Sequence, residues 1–182
     1  MKINWVLSKD IKKKLSDAKV ITKIAPSWGS YSTWQNYKTD NCISIDLNNT
    51  NELMKRGFNT VCNLWVPEEL YKDLGRPQGL MLFGGTFEND DFPDKEDFIA
   101  LTLATIKTDI VLMLGFNYKS VSDVNRKNYY LNVMRHIKDN PGTQFVLVNH
   151  KNKLSKMFTN KDDSEIENLT MDSMKNVVKL LS

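Results

Sequence analysis

The chain has 182 residues, a mass of 21.0 kDa and a net charge of +3, from 25 Lys+Arg against 22 Asp+Glu. That length suits one domain, residues 1–182, burying roughly 70% of its unfolded surface without staples. The charge is too small and too scattered for a strong nucleic-acid signal, two cysteines do not make a disulfide scaffold, and no apolar run approaches the ~18 residues of a membrane span.

Residues 1–18 read as an N-terminal segment whose apolar stretch is too short for a signal peptide, so an intracellular, cytoplasmic protein is expected. Lys12, Lys13 and Lys14 suit a solvated helix face. Lys19 to Ala25 reads as the first strand, stopped by Pro26, which has no amide hydrogen to give a central ladder. Tyr31 to Tyr37 suits a short helix and Cys42 to Leu47 a second strand. Asn49 or Thr50 is a candidate cap for the next helix, which Gly57 ends in a left-handed conformation. A third strand is expected over Thr60 to Val66, and Pro67 suits the first turn of a helix through Leu74. Cys42 and Cys62 both fall inside predicted strands, where a free thiol acts as a small hydrophobe.

The fourth strand, Leu80-Met81-Leu82-Phe83, breaks into Gly84-Gly85-Thr86. Glu88 to Asp94 is a polar loop, and a helix carrying Phe98, Leu101, Ala104 and Ile106 follows. Asp109 to Asn117 is the fifth strand, and the next helix, capped by Ser120, carries Tyr130, Met134 and Ile137 at helical spacing. Gln144 to Val148 is the last strand. Residues 151–167 read as a polar loop, and residues 170–181 as a helix capped by Thr170, with Leu169 and Met174 as a hydrophobic staple. About six continuous apolar strands alternating with helices predict a single-domain α/β fold, a doubly wound, mostly parallel, Rossmann-like sheet with helices on both faces.

Such sheets bind ligands beyond the C-terminal ends of their strands. The turn containing Pro26, Ser27, Gly29 and Ser30 follows the first predicted strand and suits a nucleotide phosphate, although it has neither G-x-G-x-x-G spacing nor a Walker lysine. Trp28 and Trp34 offer either a stacking surface or core. Asp46 ends the second strand, where an acid accepts ribose hydroxyls, and a helix cap accounts for it equally well. Gly84, Gly85 and Thr86 leave backbone open to a ligand, or form a turn needing positive φ. Asn117 and Tyr118 close the fifth strand, and His150, beyond the last, is the candidate acid or base. His136 reads as a surface residue. No Cys/His spacing suits zinc, and Asp90, Asp91, Asp94, Glu96 and Asp97 read as a solvated loop and helix start rather than a cation site, so no metal ligand and no defined cofactor are assigned. Ser27, Asp46, Gly84, Asn117 and His150 are therefore expected around one crevice.

The order of these elements resembles the bacterial lipooligosaccharide sialyltransferases and related bacterial and phage glycosyltransferase-like proteins. Pro26-Ser27 is similar to that family's Gly-x-Gly-Pro-Ser turn, Leu114-Gly115-Phe116-Asn117-Tyr118 to its Gly-x-Asp-Tyr/Phe strand end, and Val146 to His150 with Leu154-Ser155 to its last strand and Asn-Ser-x-Leu segment. The resemblance runs in order over residues 19 to 158 and implies a nucleotide or sugar-nucleotide ligand. Both glycines before Pro26 are absent, Asn117 stands in place of the family's Asp, and no His lies between Lys119 and Tyr130, where the family carries its catalytic base. A divergent transferase and a noncatalytic binding or protein-interaction module on the same scaffold are the two readings.

Overall fold

The computed structural model describes residues 1–8, 25–84, 95–116, 123–148 and 166–181. In chain order these form β1 (Ile3–Leu7), β2 (Ser27–Ser30), α1 (Tyr31–Trp34), β3 (Asn41–Ile43), α2 (Leu47–Lys55), a 3₁₀ turn (Phe58–Thr60), β4 (Asn63–Pro67), α3 (Glu68–Asp73) and β5 (Leu80–Phe83). They continue with α4 (Lys95–Thr105), β6 (Ile110–Leu114), α5 (Asp123–Lys138), β7 (Gln144–Val148), β8 (Leu169–Asp172) and α6 (Met174–Leu181). All eight strands form one parallel sheet in the order β5-β4-β3-β2-β1-β6-β7-β8.

Period-two alternation sends each strand's side chains to opposite faces, and both faces are covered, as a parallel sheet requires. Val6, Ile43, Val111, Met113, Phe145 and Leu147 meet α4 and α5 on one face. On the other, Trp5, Leu7, Leu112, Leu114 and Val148 pack against Met174 and Val177 of α6, while Cys42, Leu64 and Val66 pack under Tyr31, Leu53 and Leu70 of α1, α2 and α3. The expected α/β class and doubly wound parallel sheet are thus present, with eight strands where about six were expected.

The additional strands lie where a polar residue interrupts an apolar run. β1 falls inside the supposed N-terminal segment, because Asn4 breaks Ile3 to Leu7. Its amide group donates to the Ala104 carbonyl and the Thr108 hydroxyl, both at 2.8 Å, so the strand accommodates it. Most of the expected strand over Lys19 to Ala25 lies outside the described residues. Residues 27–30, expected as a turn, are β2. At the C-terminus Thr170 does not cap a helix: it lies in β8, paired with Val146, and Ser173 caps α6 by accepting from the Asn176 amide at 3.2 Å.

Smaller shifts concern caps. Asp46, not Asn49 or Thr50, caps α2 by accepting from the Asn49 amide at 2.8 Å. Gly57 does adopt the left-handed conformation, at φ +69°, and Pro67 sits one residue before α3, in its cap position.

Candidate functional site

From β1 the chain steps outward through β2, β3 and β4 to β5, then returns past β1 to β6 and continues to β8. The strand order thus reverses between β1 and β6, which in such sheets opens a crevice between their C-terminal ends. Its floor is short and tied: the Ser8 amide donates to the Leu114 carbonyl at 2.9 Å. Gly115 turns the chain away from β6 at φ +84°, a conformation that side-chain-bearing residues rarely adopt.

Hydroxyls line this edge. Ser8, Ser30, Thr33 and Ser44 are all buried. The Thr33 hydroxyl donates to the Leu7 carbonyl at 3.3 Å and lies 3.1 Å from Ser30 Oγ, and Ser30 Oγ caps α1 by accepting from the Thr33 amide at 3.3 Å. Thr50 donates to the Asp46 carbonyl at 2.7 Å and lies 2.8 Å from Ser44 Oγ.

Two carboxylates enter from the first turn of α4, whose helix dipole favours negative charge there. Asp97 is only 1% exposed and accepts the Ser8 hydroxyl at 2.8 Å, bracing α4 against the end of β1. Glu96 accepts the Ile45 amide at 3.2 Å, joining the start of α4 to the loop after β3. Burial first, and then the charges of Asp97 and Asp46, push the Glu96 carboxyl up to about 7, although the Ile45 amide pulls the other way. A carboxyl that titrates near neutrality at a sheet's ligand-binding edge is suited to proton transfer.

The expected site residues separate into groups. Ser27 opens β2 and Pro26 precedes it, so both stand at the N-terminal edge of the sheet, opposite the crevice. There the Pro26 carbonyl accepts the Trp5 amide at 2.8 Å, while Ser27 donates its amide and hydroxyl to Asp40 at 2.8 and 2.7 Å. Gly29 lies within β2, where a Cβ would come within 3.0 Å of Thr33 Cγ2; its role is close packing, not ligand approach. Ser30 is at the crevice edge. Asp46 shares that edge, its carboxylate engaged as the α2 cap.

Gly84 follows β5, the outermost strand on its side, four strand spacings from β1 and thus on the order of 19 Å away. It is exposed, its φ lies outside the left-handed region, and a Cβ there would meet nothing within 4 Å, so neither positive φ nor close approach requires a glycine at this position. Gly85, Thr86, Asn117, Tyr118 and His150 lie outside the described residues, as do Asp90, Asp91 and Asp94. Among the described residues no group of three His, Cys, Asp or Glu side chains is placed to hold a metal.

Trp28 is core, with its ring centroid 5.4 Å from that of Trp65, and Trp34 packs edge-on against Phe58 at 4.0 Å. His136 is not a surface residue: burial lowers its pKa, and it lies 3.0 Å from the Thr105 hydroxyl between Phe98 and Phe145. Burial likewise pushes the Cys42 thiol up and Cys62 up to about 12, so neither suits a nucleophile at neutral pH. Ser8, Glu96 and Asp97 were not assigned from sequence. Acids in a helix's first turn fit a solvated start as well as a site, and only the strand order shows that α4 begins beside the crevice.

No helix among the described residues is long and apolar enough to cross a membrane. Compared with known proteins, the chain matches no family model, and no curated protein or solved structure matches it significantly.

Proposed function

We propose that this protein binds a nucleotide or sugar nucleotide in the crevice between the C-terminal ends of β1 and β6. The observation that carries the reading is the reversal of strand order at that point, with Ser8, Ser30 and the Glu96–Asp97 pair at its rim. Hydroxyls and backbone amides there suit ribose and phosphate oxygens, and Asn117, Tyr118 and His150 follow β6 and β7 closely in sequence. The resemblance to the sialyltransferase-like proteins favours a sugar nucleotide over a bare one.

On this reading the protein is a divergent glycosyltransferase in which Glu96, titrating near neutrality, takes the acceptor's proton and His150 assists. The alternative, binding without turnover, is favoured by the absence of a histidine between Lys119 and Tyr130 and by Asn117 in place of an acid.

A thermal-shift panel of nucleotides and sugar nucleotides tests the proposal. A true ligand at 100 times its dissociation constant stabilises by about 2.7 kcal/mol. A panel that leaves the melting temperature unchanged throughout removes the reading. Binding without release of the free nucleotide in the presence of acceptor sugars selects the noncatalytic form.

A further inference from the structure

The two outer strands of the sheet differ in what they offer to a further strand. β8 carries Thr170 and Asp172, polar residues of the kind that discourage pairing at an edge. β5, Leu80-Met81-Leu82-Phe83, ends the sheet on the other side with neither a charge nor a proline. Met81 and Leu82 are 42% and 44% exposed there. Phe83 packs on the α4–α5 face and Leu80 on the face of α1, α2 and α3, so period-two alternation puts Met81 on the first face and Leu82 on the second. Apolar side chains thus stand exposed on both faces of a strand that pairs, among the described residues, with β4 alone. An edge of this composition accepts another strand unless something blunts it.

We propose that this edge joins a second copy of the chain, β5 against β5, in a twofold dimer with one continuous sheet. A twofold axis normal to the sheet makes the two strands antiparallel and keeps each face on its own side, so a residue opposes only residues of its own face. Centred on Met81, that symmetry sets Met81 opposite the partner's Met81 and Leu80 opposite the partner's Leu82, every pair apolar. The helix beside the seam fits the same axis. α3 packs on β4 and β5 and carries Glu68 and Glu69 in its first turn and Lys72 in its last, with the exposed Arg76 just beyond and Asp73 as the exception to this order. The axis lays α3 antiparallel to its copy, acidic end beside basic end. With strands about 4.8 Å apart, the two helix axes lie roughly 10 to 15 Å from each other, within reach of long charged side chains. A partner of different sequence would require no such self-matching; that strand and helix are both self-complementary under one axis selects a second copy. The seam lies four strand positions from β1, so the proposal is independent of the nucleotide reading.

The test is sedimentation equilibrium of the full chain and of Met81→Lys. A four-residue seam with one helix on each side is at the small end of stable interfaces, so a dissociation constant on the order of 10 μM is expected, and the runs span about 1 to 500 μM. Across that range the unmutated protein should pass from 21.0 kDa to twice that mass. Met81→Lys sets two ammonium groups opposite each other on the axis and should stay at 21.0 kDa throughout, with its circular dichroism unchanged. Cysteine variants read the register and do not depend on the lysine variant folding. Opposed residues of an antiparallel pair have Cα atoms about 4.5 to 5.5 Å apart, which a disulfide spans, so copper phenanthroline should cross-link Met81→Cys into a covalent dimer. Leu82→Cys is displaced two residues from its own copy, beyond about 7 Å, and should not cross-link. The unmutated protein, with Cys42 buried and Cys62 half-buried, is the control. A protein that stays monomeric over the whole range, a dimer that a folded Met81→Lys leaves intact, or cross-linking of Leu82→Cys in preference to Met81→Cys overturns the proposal.

Discussion

The two edges of the sheet are both rich in buried polar groups, yet they treat them differently. At the N-terminal edge several side-chain amides and hydroxyls are tied to one another and to the backbone. Asn168 donates to the carbonyls of Ile137, Asn140 and Thr143 at 2.9 to 3.0 Å, Thr143 donates to the Thr108 carbonyl, and Asn41 accepts from both Asn63 and the Trp65 indole. The groove of about 730 Å³ on that side is bounded by the same kind of closed pairing, with Asp109 accepting the Lys2 amide at 2.6 Å. Carboxylates are partners at both edges, but at the C-terminal edge Glu96 is held where its charge is disfavoured. Buried polarity is therefore a poor marker of a site in this fold. A polar group kept in an electrostatically unfavourable state is a better one, since stability alone would not select it.

The largest expected effect tests the closed edge. Asn168→Ala leaves carbonyls at the end of α5 and before β7 without their shared donor, and should cost about 3 kcal/mol in denaturant unfolding. A loss under about 1 kcal/mol would mean that this network contributes little to holding the edge closed.

Next comes the strained edge, read through pH. The Glu96 carboxyl is raised from its ordinary value of 4.5 to about 7, so between these limits the folded state holds a proton that the unfolded state releases. Its contribution to stability is full below pH 4.5 and lost as pH rises through about 7. Glu96→Gln should therefore be more stable than the unmutated protein at pH 8, by on the order of 2 to 3 kcal/mol, with the advantage gone at pH 4.5. Parallel unfolding curves of the two proteins at all pH values would refute the assignment of strain to this residue.

The smallest effect sharpens the contrast between glycines. Gly84→Ala meets open space and should change stability by less than about 0.5 kcal/mol. Gly29→Ala drives a methyl against Thr33 and Thr39 and should cost about 1 to 3 kcal/mol, which thermal unfolding of the pair distinguishes.

These contrasts follow what was legible in the chain. β5, β6 and β7 are uninterrupted apolar runs, and the sequence reading locates them within a few residues. β1 and β2 are harder to see, because Asn4 is made acceptable only by Ala104 and Thr108, about a hundred residues away, and Ser27-Trp28-Gly29-Ser30 resembles a turn until its flanking strands pair with it. Missing β1 moved the first expected site to the wrong end of β2, since Ser27 was taken to follow a strand that it begins. Ser30 and Asp46 do lie at the C-terminal edge, a placement that needs only local order. The placement of Glu96 and Asp97 at that edge depends on α4 crossing from β5 to the other side of β1.

The position of β1 at the centre of the sheet also sets the timetable of assembly on the ribosome. β1 precedes the other strands of this sheet in the chain, and its partner β6, with Ile110 opposite Ile3, emerges about a hundred residues later. At synthesis rates of about 5 to 20 residues per second, one side of the central strand waits some 5 to 20 seconds for its neighbour. Through that interval Trp5 and Leu7 lack Leu112 and Leu114, the side chains they pack with in the finished protein. The interval is one in which a nascent-chain chaperone that binds short apolar segments would find its target at residues 3–7.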